Sequence, residues 1–201
     1  MPAKADPPLI FATLTSNDLV AALPDLARLR IAVFREWPYL YEGDATYEER
    51  YLRAYAESDR ALVVGAWYGA QLVGAATATP MEDHAEEFAA PFRARGHDLA
   101  EILYCGESVL LPAYRGQGAG RAFFARREAH GRALGRRFAC FCGVVRPPDH
   151  PRRPNAYMPL DAFWRRQGYE PMEGVTTQFA WREVGAAAET EHPMQFWIKP
   201  L

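Results

Sequence analysis

Three glycines at alternating positions stand near the middle of the chain, between an apolar run and an arginine-rich segment. They are Gly116, Gly118 and Gly120 in the stretch "LLPAYRGQGAGRAFF", where the apolar run stops at Pro112. Glycines strip side chains from a turn, and the first N–H groups of a following helix, together with the helix dipole, favour a bound anion. The spacing therefore indicates either a loop that holds a phosphate or a simple change of direction.

The two commonest nucleotide-binding fingerprints do not fit this glycine loop. A dinucleotide fingerprint needs G-x-G-x-x-G, but the frame that starts at Gly116 has Arg121 in place of the last glycine. A P-loop needs Gly-Lys-Ser or Gly-Lys-Thr after the glycines, and this sequence does not have it. The phosphate-binding interpretation that remains is a diphosphate held by backbone amides.

The cysteines and histidines do not form a catalytic or metal-binding pattern. Cys105, Cys140 and Cys142 contain no C-x-x-C unit, and an odd number of thiols cannot pair fully. Cys140 and Cys142 are two apart in an apolar run, so they point to one face of a strand, where small buried side chains are usual. The five histidines lack metal-ligand spacing. We expect no metal, and a reducing compartment suits the thiols.

The elements before the glycine loop follow from hydrophobic periodicity. A strand, "LIFATLT", precedes a helix, "PDLARLRIAVFREW", which Pro24 is well placed to start. A second helix, "ATYEERYLRAYAES", has Asp44 as its N-cap. Two β-rich runs joined at "YGA" predict an antiparallel hairpin. The polar segment that follows, "MEDHAEEFAAPFRARGHDLAE", is either a short helix with loops or an insertion.

The elements around the loop predict an α/β centre. "ILYCGESVLLP" is a strand in which Gly106 marks a bulge or a close backbone approach. The loop leads into a helix from about Gly118 to Leu134, whose alanine stripe at positions 122, 125, 129 and 133 is expected to lie close to the sheet. "RFACFCGVV" then returns as a parallel strand. A short helix, "LDAFWRRQG", precedes two closing strands, "VTTQFAWREV" and "MQFWIKP".

Length and composition limit the class of protein. The sequence has 201 residues, 49% of them hydrophobic, so we expect residues 1–201 to form one domain with a single core. A formal net charge of −2 gives no general attraction to nucleic acid or to an anionic membrane. The stretch "MPAKADPPLIFATLT" lacks the long apolar core of a signal peptide, and no later run is long enough to span a bilayer. We expect a cytoplasmic protein that binds neither nucleic acid nor membranes.

The glycine loop and the order of elements together resemble one family. "VLLPAYRGQGAGRAFF" resembles motif A of the GNAT superfamily, the acyl-CoA-dependent N-acetyltransferases, in which an apolar strand and a proline precede Arg/Gln-x-x-Gly-x-Gly/Ala. "DAFWRRQGYEP" is similar to the family's short helix before the last two strands. The resemblance implies an α/β fold of mixed α+β character. Its central mixed β-sheet would have six to seven strands flanked by about four helices, in the order β-α-α-β-β-β-α-β-α-β-β.

The same resemblance implies that acetyl-CoA (coenzyme A) is the co-substrate. The pyrophosphate would lie on the loop, held by the amides of its last four residues, and the loop residues are Arg115, Gly116, Gln117, Gly118, Ala119 and Gly120. One strand amide would polarise the thioester carbonyl. The pantetheine arm would pass Val109, Leu110, Leu111, Asn155, Phe163 and Trp164. Arg121 would either meet the 3′-phosphate or stay solvated.

Acyl transfer to an amine also requires proton transfer. An alkyl ammonium has a pKa of about 10.4, so a base must remove a proton before the nitrogen attacks. Relatives draw this base from the strand before the loop, so Glu107 is the candidate; alternatively, Glu107 bonds a backbone group or pairs with an arginine. Many relatives protonate the leaving thiolate with a tyrosine where this sequence has Trp164, which has no proton to give. Tyr157, a few residues earlier, or solvent would serve instead.

The sequence leaves the acceptor open. In relatives the first two helices and neighbouring loops line the acceptor cleft, and the corresponding segments here carry Glu36, Glu42, Asp44, Glu48, Glu49, Glu82, Asp83, Glu86 and Glu87. Such charge favours a cationic amine, although a charge run is more often a solvated face. An aromatic wall of Tyr39, Tyr41 and Tyr47 is equally compatible with the sequence.

The resemblance therefore predicts an acetyl-CoA-dependent N-acetyltransferase that transfers an acyl group directly to the primary amine of a small molecule or peptide. The alternative is a non-catalytic acyl-CoA-binding sensor or partner module of the same fold, which the tryptophan at the acid position makes conceivable. Either protein would be a monomer or a homodimer.

Overall fold

The computed structural model describes residues 7–201 and contains, within that range, one eight-stranded sheet and five α-helices. The strands are β1 Ile10–Thr13, β2 Leu62–Tyr68, β3 Gln71–Pro80, β4 Ile102–Tyr104, β5 Ser108–Leu110, β6 Phe138–Val144, β7 Glu170–Arg182 and β8 Glu189–Pro200. The helices are α1 Ser16–Phe34, α2 Ala45–Ala56, α3 Glu86–Arg93, α4 Ala119–Ala133 and α5 Asp161–Arg166. The predicted mixed α/β fold is confirmed, with one more strand and one more helix than the order implied.

The strands lie in the order β1-β2-β3-β4-β6-β8-β7, and β5 pairs with β3. All neighbours are antiparallel except β4 and β6, which are the predicted parallel pair on either side of α4. The predicted hairpin is β2 with β3, and Gly69 in its turn has a φ of 60°. The predicted N-cap of α2 is confirmed, because the Asp44 side chain accepts a hydrogen bond from the Tyr47 amide at 2.8 Å.

The helices cover both faces of the sheet. Side chains alternate along each strand, so neighbours on one strand pack against different helices. Val64 on β2 belongs to the cluster that contains α4, whereas Val63 belongs to the cluster beneath α1 and α2. On β6, Phe141 packs with α4 and α5, and Cys140 and Cys142 pack with α3. The shared face predicted for these two thiols is confirmed, and both are free and buried.

The strand predicted before the glycine loop is divided into β4 and β5. Thr79 on β3 lies opposite Tyr104, whereas Ala76 lies opposite Ser108, so three steps along β3 are matched by four on the other strand. The extra residue makes a β-bulge at residues 105–107, which contains the predicted Gly106. This bulge turns the chain at the point where the candidate base, Glu107, leaves the strand.

Two helix predictions need correction, and an ambiguity is resolved. Pro24 does not start α1, which begins at Ser16; the proline lies inside the helix. It removes the bond to the Val20 carbonyl, and because the Val20 side chain is 48% exposed, solvent can reach that turn. The polar segment after β3 contains α3, whose Phe88 and Phe92 are buried, so it is a short helix packed on the sheet.

The alanine stripe of α4 does not face the sheet. The buried residues of this helix are Ala119, Phe123, Phe124, Arg127, Glu128 and Gly131, and three of the four stripe alanines are exposed. Aromatic side chains bury more apolar area than alanine, so they take the inner face. The close approach occurs at Gly131, where an added Cβ would lie 3.2 Å from the Leu103 side chain.

Residues 7–201 contain neither a helix suited to span a membrane nor a group of residues suited to bind a metal ion. Among the helices of residues 7–201, none combines the length and the apolar character that a bilayer crossing requires. In the same residues, no three His, Cys, Asp or Glu side chains are grouped so that they could hold a metal ion.

Candidate active site

A gap opens in the sheet where β5 and β6 separate. β4 and β6 pair in parallel up to Tyr104 and Cys140, and the Cys105 amide still donates to the Cys140 carbonyl at 2.8 Å. Beyond this point β5 stays with β3, whereas β6 continues along β8. The β-bulge at residues 105–107 therefore stands at the closed end of a cleft between β5 and β6.

The pairing with β3 decides which backbone groups face the cleft. The Leu111 amide donates to the Val73 carbonyl at 3.0 Å, and the Glu107 carbonyl accepts from the Thr77 amide at 3.1 Å. Backbone groups alternate along a strand, so those of Val109 also point to β3 and those of Leu110 point into the cleft. Of the three strand residues predicted to contact coenzyme A, only Leu110 offers its amide to the cleft, and the Leu111 amide is not free for that role.

The glycine loop joins β5 to α4, and its residues 115–118 are exposed. Gly116 and Gly118 have φ values of 79° and 85°, which side-chain-bearing residues adopt at a cost. Gly118 is the N-cap of α4 and supplies no side-chain cap. Within the described chain, no amide of residues 116–121 donates to a backbone acceptor outside the helices and strands. The loop therefore presents unused N–H groups at a helix N-terminus, which is the arrangement that binds anions.

The short helix α5 packs beside this loop and along β6. An added Cβ on Gly120 would lie 2.9 Å from Phe163 Cζ, so the missing side chain of the third glycine lets Phe163 approach α4. Trp164 lies against Gly143 in the same way, and its ring centroid is 5.0 Å from that of Phe141. Asn155 lies in an exposed turn before α5. Phe163 and Trp164 are half-buried, so their position here is at least partly core packing.

The two arginines assigned to coenzyme A lie on the surface near the loop. Arg115 Nη2 pairs with Glu36 Oε2 at 2.9 Å, and Arg115 Nε donates to the Leu110 carbonyl at 3.2 Å. Arg121 is exposed and lines a cavity of about 400 Å³ that Gln167 and Lys199 also border. Arg115 thus covers the cleft-facing carbonyl of β5, whereas Arg121 is open to a ligand.

Glu107 is almost fully buried, with its side chain 7% exposed. Its Oε1 pairs with Arg30 Nη1 at 2.6 Å, and its Oε2 accepts a hydrogen bond from the Tyr51 hydroxyl at 3.2 Å. Its carbonyl accepts from Arg127 Nη1, on the opposite face of the sheet, at 3.1 Å. The alternative considered from the sequence, an arginine partner, is therefore present, and each carboxylate oxygen still has lone pairs for a further proton.

Arg30 is shared by two carboxylates. Its Nε donates to Glu48, whose side chain is 0% exposed, and its guanidinium lies 4.3 Å from the Tyr51 ring centroid. Burial alone would lower the pKa of Arg30, but the nearby Glu107, Tyr51 and Glu48 raise it by more, so it lies well above its usual value. Arg30 therefore links two buried carboxyl groups, those of Glu48 and Glu107, in this wall of the cleft.

Gly106 is required by the packing around this group. A Cβ at this position would lie 2.7 Å from both Thr77 Oγ1 and the Tyr55 hydroxyl. The predicted close backbone approach is therefore confirmed. Without a side chain at residue 106, the hydroxyls of α2 reach the bulge.

An aromatic cluster lies on the α3 side of Glu107. The His84 ring stacks on Tyr104 with a centroid distance of 4.4 Å and contacts Phe88 at 4.9 Å. Burial lowers the pKa of His84 to about 4, although Glu107 and Glu87 oppose the shift. At neutral pH, His84 is therefore an uncharged imidazole within the electrostatic reach of Glu107.

Most acidic residues suggested for the acceptor cleft are paired at the surface. Glu42 pairs with Arg35 at 2.6 Å, and Glu86 pairs with Arg93. The other ion pairs and caps of this set are Glu36–Arg115, Glu82–Arg136, Asp83–Arg60 and the Asp44 cap of α2. These contacts fit the solvated-face interpretation, and Glu48 is the exception. Of the proposed aromatic wall, Tyr39 and Tyr41 are half-buried, while Tyr47 is 42% exposed.

Tyr157, the candidate acid, lies in the connection before α5. Its ring centroid is 5.9 Å from that of Trp37, which follows α1, and the Arg153 guanidinium is 5.7 Å from the ring. Burial and then Asp161 raise the pKa of Tyr157, whereas Arg153 opposes the shift. Its hydroxyl is therefore protonated at neutral pH and can act as a donor.

Sequence reasoning missed most of the side chains that hold Glu107. The sequence gives no role in holding Glu107 to Arg30, Tyr51 or Arg127, and it places Glu48 among the acidic residues of the acceptor cleft or of a solvated face. A signal was present: Glu48, Tyr51 and Tyr55 recur at helical spacing on α2, the same face as the buried Leu52. A charged residue on a buried helix face needs a partner, which the sequence does not identify.

Comparisons with known proteins agree with this geometry. The pattern of the acetyltransferase (GNAT) family matches residues 28–154, which include α2, strands β2 to β6, the glycine loop and Glu107. No curated protein sequence is significantly similar to the chain.

Solved structures with the same fold cover nearly the whole chain. A GNAT-family acetyltransferase from Streptococcus pneumoniae superposes with a TM-score of 0.59 at 13% identity, covering 96% of this chain and 99% of that one. The ribosomal-protein-alanine N-acetyltransferase from Brucella melitensis gives a TM-score of 0.60 at 17% identity, covering 96% and 99%. The yncA protein from Salmonella typhimurium, solved with acetyl-CoA, gives a TM-score of 0.57 at 12% identity, covering 97% and 95%. At these identities the likeness establishes the fold.

Proposed function

The chain belongs to the acetyltransferase (GNAT) family, and on this basis we propose that it is an acetyl-CoA-dependent N-acetyltransferase acting by direct transfer on a primary amine. The acceptor would be a small molecule or a peptide. The three free, buried cysteines support a reducing compartment such as the cytoplasm.

One observation carries the proposal: unused backbone amides and a buried carboxylate stand at two ends of the same short segment. The glycine loop offers N–H groups at the start of α4, and Glu107 lies at the closed end of the β5–β6 cleft. Between them runs β5, whose Leu110 amide faces the cleft. The donor diphosphate and the reacting thioester would therefore be bound at opposite ends of β5.

The residues of the donor side fit acetyl-CoA. The amides of Gln117, Gly118, Ala119 and Gly120 would hold the pyrophosphate, because they lie at the N-terminus of α4 and donate to no backbone acceptor outside the helices and strands. The Leu110 amide would donate to the thioester carbonyl as that oxygen gains negative charge. Arg121, beside the cavity on α4, would meet the 3′-phosphate. The solved relative with acetyl-CoA supports the same choice of donor.

The acceptor side supplies the proton transfer. Glu107 would take a proton from the acceptor ammonium, after which the nitrogen lone pair forms a bond to the acetyl carbon and the carbon–sulfur bond breaks. The electron pair leaves on sulfur, and a thiolate with a conjugate-acid pKa of about 8.5 needs only modest help. The nitrogen loses its second proton as the amide forms, and Tyr157 or water would supply a proton to the sulfur to give the thiol. Trp164, packed on Phe141, has no proton to donate.

Two measurements test the proposal. Saturating acetyl-CoA should raise the melting temperature, because a ligand that binds only the native state stabilises it. Thiol release should then appear with at least one amine from a panel of polyamines, amino acids, arylalkylamines and peptides. An unchanged melting temperature would refute coenzyme A binding. A raised melting temperature without turnover on any amine would favour the non-catalytic acyl-CoA sensor.

A further inference from the structure

The hydroxyl groups of α2 continue from Glu107 as a chain of hydrogen bonds. Tyr51 OH donates to Glu107 Oε2 at 3.2 Å and lies 3.1 Å from Tyr55 OH. Thr77 Oγ1 lies 3.5 Å from Tyr55 OH, at the limit of a hydrogen bond, and accepts the Glu107 amide at 3.2 Å. The chain therefore starts at the carboxylate of Glu107 and returns to its backbone.

Hydroxyl groups can reverse their direction of donation, which distinguishes this chain from the Arg30 contact. A tyrosine hydroxyl both donates and accepts, so Tyr51 can donate to an ionised carboxylate and accept from a protonated one. Arg30 only donates, and so it favours the ionised form alone. The Arg30–Glu48 contact weakens this preference for ionised Glu107, because Glu48 accepts one of the guanidinium's hydrogen bonds.

We propose that Tyr51 is a positioning residue of Glu107, and that the Tyr51–Tyr55 hydroxyl pair supports the carboxyl group both before and after it takes the acceptor's proton. The proposal rests on the acetyltransferase function inferred above. Glu48 acts one step further away, by holding the guanidinium that Glu107 would otherwise face alone.

The proton count closes with the leaving sulfur and solvent, because an ammonium loses two protons on becoming an amide, and one of them ends on the sulfur and the other in solvent. An ammonium gives one proton to the ionised Glu107 and becomes a neutral amine, which then attacks the thioester. The new carboxyl O–H donates to the Tyr51 oxygen, the Tyr51 hydrogen turns to Tyr55, and no proton leaves the chain. When Glu107 returns its proton to solvent or to the leaving sulfur, the hydroxyls turn back.

The hydroxyls stay protonated throughout. Burial and then Glu107 raise the pKa of Tyr55 to about 12, and the same two causes raise the pKa of Tyr51 well above its usual value. Both residues therefore act as neutral donors and acceptors, not as bases. The titratable or charged groups facing Glu107 are Arg30 from α1, Tyr39 from the following loop, Tyr51, Tyr55 and Glu48 from α2, His84 after β3 and Arg127 from α4.

The test is the pH profile of Tyr51→Phe, with Thr46→Val, which removes an exposed hydroxyl from the same helix, as the control. The substrate is the panel amine that wild-type enzyme acetylates fastest. Tyr51→Phe should lower kcat about 10- to 100-fold, because a hydrogen bond to a charged group is lost. The acid limb of its profile should move upward by about half a pH unit to one unit, because the bond that Tyr51 donates to the ionised carboxylate is charge-assisted and stronger than the bond it accepts from the protonated form. Thr46→Val should match wild type.

Tyr55→Phe provides a second, graded test, since its hydroxyl lies one bond further from Glu107. It should move the acid limb in the same direction by less, and neither variant should change the acetyl-CoA shift in melting temperature. A Tyr51→Phe enzyme whose profile superimposes on wild type, or whose kcat falls with no movement of the acid limb, overturns the proposal. Wild-type enzyme that acetylates no panel amine refutes the acetyltransferase function instead, so the two failures are distinguishable.

Discussion

The glycine loop and the Glu107 site are built in different ways. The loop is one continuous segment, residues 115–120, that offers backbone N–H groups at the N-terminus of α4, and residues 115–118 are exposed. The Glu107 site is assembled from α1, α2, β3 and α4, and its groups are buried side chains. One site therefore depends on local conformation, and the other depends on how distant elements pack.

This difference decides what can damage each site. In the loop, only a residue that changes the backbone conformation matters, because the side chains are not the ligands. Around Glu107, loss of one partner leaves a buried charge or donor unsatisfied, and the cost spreads to the others. Substitutions in the loop should therefore weaken acetyl-CoA binding, whereas substitutions around Glu107 should lower turnover.

The largest expected effect is on turnover at the Glu107 site. Glu107→Gln keeps the shape but removes the base, so thiol release should fall about 10²- to 10⁴-fold, the usual range for a general base. The acetyl-CoA shift in melting temperature should stay within error of wild type. Glu57→Gln, an exposed carboxylate at the C-terminal end of α2 and outside the Arg30 group, is the matched control.

Either of two results with Glu107→Gln would contradict the separation of a turnover site at Glu107 from a binding site at the glycine loop. Turnover within threefold of wild type would show that Glu107 is a structural ion-pair partner of Arg30. Loss of the rise in melting temperature with acetyl-CoA would show that Glu107 also contributes to acetyl-CoA binding.

The next effect is on binding at the glycine loop. Gly118→Val places a β-branched side chain at a φ of 85°, which costs roughly 1–3 kcal/mol and distorts the amides. Acetyl-CoA affinity should fall at least tenfold by titration. Gly185→Val, at a φ of 83° and with free space around it, carries the same backbone strain away from the loop. Equal loss of affinity in both variants would contradict the loop assignment.

A smaller effect is expected from pH at the aromatic side of the Glu107 site. Burial lowers the pKa of His84 to about 4 from 6.5, so the unfolded chain binds a proton that the folded chain resists. The contribution of His84 should therefore destabilise the fold progressively as pH falls from 6.5 to about 4, and should be absent above 6.5. Chemical denaturation should show a shallower loss over this range for His84→Asn. Parallel plots of unfolding free energy against pH for wild type and His84→Asn would refute a contribution from His84.

The smallest effect is expected at the surface pair beside the loop. Arg115 and Glu36 are both about half exposed, and such pairs contribute about 0–1 kcal/mol. Arg115→Ala should change the free energy of unfolding by less than about 1 kcal/mol, and acetyl-CoA affinity by less than about threefold. A tenfold loss of affinity would show that Arg115 leaves Glu36 to bind the coenzyme. Arg35→Ala, which removes the similar Glu42 pair, is the control.

Local signals predicted the fold well and the packing partners poorly. The Asp44 cap, the β2–β3 hairpin and the bulge at Gly106 each depend on a few neighbouring residues, and each is confirmed. The prediction that α1 starts at Pro24 was wrong. The helix continues through this proline because the Val20 carbonyl, which loses its hydrogen-bond donor, lies on a turn that solvent can reach. The alanine stripe of α4 was wrong for a similar reason, since larger aromatic neighbours competed for the same face.

The candidate site divides in the same way. The loop glycines could be found by spacing, because each position has a conformational or steric requirement that the residue type reveals. The choice of Leu110 over Leu111 could not, since it depends on the pairing register with β3. Arg30 and Glu48 could not be paired from sequence either, because they are 18 residues apart on different helices.

By itself, the sequence determined the order of elements, the exposed amide loop and the position of a carboxylate before it, because these follow from propensity and spacing along the chain. The separation of β5 and β6 beside Glu107, and the contacts of Arg30, Tyr51 and Arg127 with it from both faces of the sheet, depend on three-dimensional packing. The reason is physical: a buried charge must find partners in space, and the chain brings them from wherever packing allows.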